Sequence, residues 1–144
     1  MSIYHEERCC GRREGINDIR EGLEDIREGL VHIQDGLEDI INCRDCEGRR
    51  EEMQGMRDAA RGLCRINEGL RYTGCCELDC CTREKIRRDM RYVEEGIREC
   101  CEGLRELDRN RCCGSRETAI CLLREGRNDV ALGLKELCED LRDF

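Results

Sequence analysis

The chain contains no proline and no tryptophan, one phenylalanine and three tyrosines. Lysine is confined to Lys85 and Lys135, although arginine is abundant. Nor does any apolar run approach the roughly 18 residues that a membrane-crossing helix needs. Each gap excludes something. With few aromatics and a net charge of -8, the chain has neither the stacking platform nor the basic stripe of a nucleic-acid binder. The first residues, Met1 to Arg8, are polar and hold no apolar signal-peptide core, so neither a membrane nor an export route is expected. Without proline, and with 42% of residues charged, the composition suits long exposed helices better than a β-sandwich. Catalytic residue types are scarce as well. The serines are Ser2 and Ser115 and the histidines His5 and His32, both read as surface side chains. No triad, phosphate loop or paired-histidine motif is present, so no enzyme activity and no cofactor are expected.

What the chain does have is repetition. Ile16, Ile19, Leu23, Ile26, Leu30, Ile33, Leu37 and Ile40 follow one another at alternating spacings of three and four, an unbroken heptad seam. Beside it, glycine recurs every seventh residue at Gly15, Gly22, Gly29 and Gly36. The same register returns at Gly48, Gly55, Gly62 and Gly69, at Gly96 and Gly103, and at Gly126 and Gly133. These repeats predict helices near residues 12–43, 48–72, 82–110 and 116–142, joined by short breaks. Short connections favour antiparallel neighbours, so the expected fold is all-α, one domain over residues 1–144, an up-down-up-down four-helix bundle with cysteine-rich tips. The first helix is longer than the second, so one end is expected to overhang. An interior helical glycine costs about 0.5–1 kcal/mol relative to alanine. A fixed heptad place for so many argues that they let antiparallel backbones approach closely, as small residues do elsewhere.

Cysteine is the second conspicuous feature, with 15 in 144 residues. That density marks disulfide-stapled secreted domains, yet no export signal is visible. The count is odd, so at least one thiol must stay free, bind something or pair with another molecule. On the predicted bundle, Cys9, Cys10, Cys75, Cys76, Cys80, Cys81 and Cys138 lie toward one tip. Cys43, Cys46, Cys112, Cys113 and Cys121 lie toward the other. Only Cys64, Cys100 and Cys101 fall mid-helix; Cys100 is on the seam and expected to pack, Cys64 off it and expected to be exposed. Adjacent cysteines rarely bond each other. On a helix their side chains diverge by about 100°. The doublets therefore offer thiols in two directions, an arrangement that favours an extended network.

These doublets, in a repetitive chain without a signal peptide, resemble the cysteine-rich morphogenetic proteins of the clostridial spore surface, the exosporium and outer coat. The resemblance implies synthesis in the mother-cell cytosol, then oxidation into a cross-linked shell with copies of itself and other cysteine-rich spore-surface proteins as partners. The twelve tip cysteines named above would be the cross-linking residues. The competing reading is a cytosolic thiolate store for Cu(I) or zinc. Cys43 and Cys46, completed by Cys112 and Cys113, could form a four-thiolate zinc site. Copper-storage bundles line their interior with cysteines at four-residue spacing, which only Cys76 and Cys80 show here.

Overall fold

The computed structural model describes the backbone of residues 2–74, 78–109 and 113–142, and the side chains of residues 15–74, 78–109 and 116–142. Among the described residues there are four α-helices and no strand: α1 Ser2–Ile41, α2 Asp45–Tyr72, α3 Cys80–Arg109 and α4 Cys113–Asp140. They form the expected antiparallel bundle. The helix starts differ from those read off the repeats. α1 begins at Ser2 and not near residue 12, so Cys9 and Cys10 lie within helix and not before it. α3 and α4 likewise take in Cys80, Cys81 and Cys113.

The bundle is two hairpins, each zipped along glycine. Gly15 faces Gly69, Gly22 faces Gly62, Gly29 faces Gly55 and Gly36 faces Gly48. A Cβ built on any of them would lie only 2.5–2.7 Å from the partner's carbonyl oxygen. No side chain fits there, which is the physical reason for the heptad glycines. Gly48, which the repeats place at a helix start, is the fourth partner in this zip. In the second hairpin Gly96 and Gly126 face each other in the same way. The flanking places are looser variants: Gly103 lies opposite Ala119 and Gly133 opposite Asp89.

Side chains from four residues further along fill the space that the glycines leave. Ile19, Ile26, Ile33 and Ile40 rest on Gly69, Gly62, Gly55 and Gly48. Their counterparts on α2 and its C-cap are Glu52, Ala59, Ile66 and Thr73. Burial of this layer, together with Ile86, Val93, Leu123, Val130 and Leu137, forms the core between the hairpins. Each fully buried aliphatic side chain stabilises by about 1.5–3 kcal/mol, which offsets the helical cost of the glycines. The hairpins meet each other across isoleucine and leucine, α1 beside α4 and α2 beside α3, less intimately than within each hairpin.

Glu52 breaks the pattern. It is fully buried in an otherwise apolar place, and neither carboxylate oxygen has a hydrogen-bond partner. Burial pushes its carboxyl up to about 9, so it is neutral at pH 7. The overhang of α1 is also present: Gly15 already faces the end of α2, so residues 2–14 extend past it. On the outer face of α3, Arg98 pairs with Glu95.

Candidate functional site: the cysteine-bearing tips

The first tip is the turn between α1 and α2. The Cys43 amide donates to the Ile40 carbonyl and the Arg44 amide to the Asp39 carbonyl, at 3.1 and 2.8 Å. This pair of bonds is a Schellman motif, which closes a helix with one residue in the left-handed region, normally glycine. Here that residue is Cys43, at φ 64°. A side chain there costs about 1–2 kcal/mol that glycine would avoid. Arg116 of α4 locks the turn from the side. Its guanidinium donates to both carboxylate oxygens of Asp45, at 2.8 and 2.9 Å, and to the Ile40 carbonyl. The hydrogen bond from Arg116 holds Asp45 below the usual carboxylate range. Cys43 and Cys46 therefore stand exposed on a turn that is fixed in place.

The second tip is built by the same device. Arg83 of α3 reaches back to the end of α2 and donates to the carbonyls of Leu70, Thr73 and Leu78, the first at 2.8 Å. The Thr73 hydroxyl closes the helix by donating to the Gly69 carbonyl at 2.6 Å. Asp79 caps α3 by accepting the Thr82 amide at 2.7 Å, and this bond lowers the Asp79 carboxyl. Cys80 and Cys81 are exposed in the first turn so capped. Both clamps use one planar group to satisfy several oxygens, the bidentate geometry that arginine's guanidinium fork supplies and lysine's single ammonium does not.

The remaining cysteines divide by burial. Cys121 is exposed on α4 and Cys64 is exposed at mid-α2. Cys100 is enclosed against Gly126, and burial pushes its thiol far up, so it is an unreactive core residue. Cys101 is half-buried. Cys138, expected among the linking thiols, is instead packed against the core, with Arg27 Nη2 3.7 Å from its sulfur. Cys64 is better presented than Cys138, and its place off the seam was the signal. The side chains of Cys9, Cys10, Cys75, Cys76, Cys112 and Cys113 lie outside the described residues. The four-thiolate set Cys43, Cys46, Cys112 and Cys113 is thus described only in its first half. Among the described residues no cysteine joins a cluster of three metal-ligating side chains.

His32, read from sequence as a surface residue, is half-buried over the α1–α2 seam. Its Nδ1 lies 2.6 Å from Glu51 and its Nε2 3.8 Å from Asp58. The hydrogen bond with Glu51 raises its pKa. No described helix is long and apolar enough to cross a membrane. Compared with known proteins, the chain matches no family model, no curated protein and no solved structure.

Proposed function

We propose that the protein is structural: a stiff helical rod that assembles with copies of itself through intermolecular disulfides, in a shell of the spore-surface kind that its cysteine doublets resemble. One observation carries this reading. Exposed thiols stand at opposite ends of the bundle, Cys43 and Cys46 at one and Cys80 and Cys81 at the other, on turns immobilised by Arg116 and Arg83. A thiol at each end of a rigid body gives contacts that propagate and do not close. Cys43 adds weight, because it keeps a thiol where glycine is the cheaper residue. The thiolate-store reading lacks comparable support: among the described residues only Cys100 is fully buried, set among isoleucine, valine and leucine, and no cysteine there joins a cluster of metal-ligating side chains.

The test is a denaturing gel of alkylated protein, with and without reductant. A ladder of multimers that collapses to monomer on reduction is the expected result. A monomer in both lanes, with thiols protected until a chelator is added, would replace assembly by metal storage. Cys43→Gly sharpens the test. It should raise stability by about 1 kcal/mol while thinning the ladder, two effects that a purely structural cysteine would not combine.

A further inference from the structure

Asp89 of α3 occupies a heptad place that glycine holds at Gly96 and Gly103, and its carbonyl faces Gly133 of α4. The backbones are zipped at this level, so the carboxylate is trapped at the seam. Asp89 is 0% exposed and its Oδ2 has no hydrogen-bond partner. Asp140, the last residue of α4, also holds a buried Oδ2 without a partner. Glu136, one turn earlier, completes a group in which one oxygen from each side chain lies within 4.8 Å of the others. Arg88 reaches in from the rim, with Nη2 3.5 Å from Asp89 Oδ1 and 4.0 Å from Asp140 Oδ2. Both separations are too long for good hydrogen bonds, and the two inner oxygens stay bare.

We infer that Asp89, Glu136 and Asp140 form a binding site for a hard divalent cation, Ca²⁺ in kind, that ties the end of α4 to α3. Three carboxyl groups meet a single guanidinium in an enclosed place, so acidic groups outnumber the cation and a divalent ion would balance the excess. An all-oxygen donor set selects calcium, magnesium or manganese over the soft metals that thiols take. Two oxygens bound to one calcium ion stand at most about 4.6–5.2 Å apart, twice the usual calcium–oxygen distance, so the spacing of the three oxygens is compatible with one shared ion once the side chains close slightly on it. Bare buried oxygens are what the ion would satisfy, with water completing its shell from the open side. The site is independent of the assembly reading, because it uses no thiol.

The experiment is calorimetric titration of the chelator-washed, reduced protein with CaCl₂, alongside thermal melts with and without the ion. One bound ion per chain and a Tm that rises with calcium are expected. Asp89→Asn and Asp140→Asn, each nearly isosteric, should keep full helicity by circular dichroism and weaken calcium binding at least about tenfold, since even groups that only support metal ligands are worth that much. Absence of binding and of a melting shift at millimolar calcium would overturn the site. So would unchanged affinity in both variants, which would place the ion elsewhere on this acidic chain.

Discussion

The two hairpins share a backbone plan and differ in the charges laid over it. In the first, Asp25 lies three residues beyond Gly22, and Arg61 and Arg65 flank the partner glycine Gly62, with their nitrogens 3.4 and 3.3 Å from Asp25. In the second, Glu99 lies three residues beyond Gly96. The residues flanking the partner glycine Gly126 are there Glu125 and Asp129. One groove neutralises itself; the other gathers three carboxylates. Burial first, then Asp129 and Glu125, push the Glu99 carboxyl up to about 8. Asp89, in the same groove nearer the second tip, is pushed up to about 7 by burial and then Asp140. The zip therefore dictates only the glycines and the side chains that fill them. The groove beside it is free to carry either charge pattern, and the second hairpin holds its acidic surplus there.

The zip itself is where substitution costs most. Gly55→Ala would bring its Cβ 2.5 Å from the Gly29 oxygen and 2.7 Å from Ile33 Cγ1, and Gly96→Ala meets Gly126 and Val130 as closely. Alanine favours helix, yet both variants should lose about 2–3 kcal/mol, because the neighbour to be moved is backbone. Gly103→Ala should lose less, since its nearest obstacle is the Leu123 side chain. Gly74→Ala meets nothing within 4 Å and serves as the neutral control. Urea denaturation ranks the four. Equal stability for Gly55→Ala and Gly74→Ala would mean that the hairpins are not zipped as described.

Next in size is Glu52. An unpartnered buried polar group costs about 1–3 kcal/mol, so Glu52→Met should stabilise by that amount at pH 7. Glu52→Gln should abolish the titration without the gain, because its amide stays unpartnered. The native carboxyl keeps a proton that the unfolded chain loses above about 4.5, so stability falls as pH rises from there to about 9. Glu99 acts in the same direction up to about 8. His32 does too: its raised pKa gives a contribution complete below 6.5 and lost as pH climbs through the raised value. The urea midpoint should be higher at pH 5.5 than at pH 8.5, with much of the difference gone in Glu52→Met. A midpoint that rises with pH would contradict all three placements.

The repeat made the fold legible. Alternating threes and fours fixed the helices, and glycine every seventh residue fixed which faces touch. Less legible were the exceptions to the repeat, because a polar residue at one heptad place looks like ordinary surface until the opposite helix is known. Glu52 stands where Ile19, Ile26, Ile33 and Ile40 stand in α1, and Asp89 stands in a glycine place. Both could have been found by reading the pattern for what violates it. The first helix start had no such signal, since residues 2–14 carry no glycine zip to mark them. The start of α3 was readable in Asp79, a good cap three residues before Thr82. The thiol surfaces were only partly legible: periodicity separated buried Cys100 from exposed Cys64, but the packing of Cys138 against α1 depends on α1 passing beside the end of α4.

The smallest effects probe the grooves directly, and they run in opposite directions. Glu125→Arg places a cation across from Glu99 as Arg61 lies across from Asp25, so it should convert the second groove to the pattern of the first. At low salt and pH 7 it should stabilise by about 0.5–1 kcal/mol, the range of exposed ion pairs. Arg61→Glu makes the converse change, setting a third carboxylate beside Asp25 and Asp58, and should destabilise by a similar amount. Both differences should shrink in 1 M salt, where the screening length falls to about 3 Å. If the backbone plan is indifferent to groove charge, the double variant should match the parent, because the grooves are far enough apart for their effects to add. A double variant well below the parent would show instead that each hairpin needs its own charge pattern to keep its glycines in register.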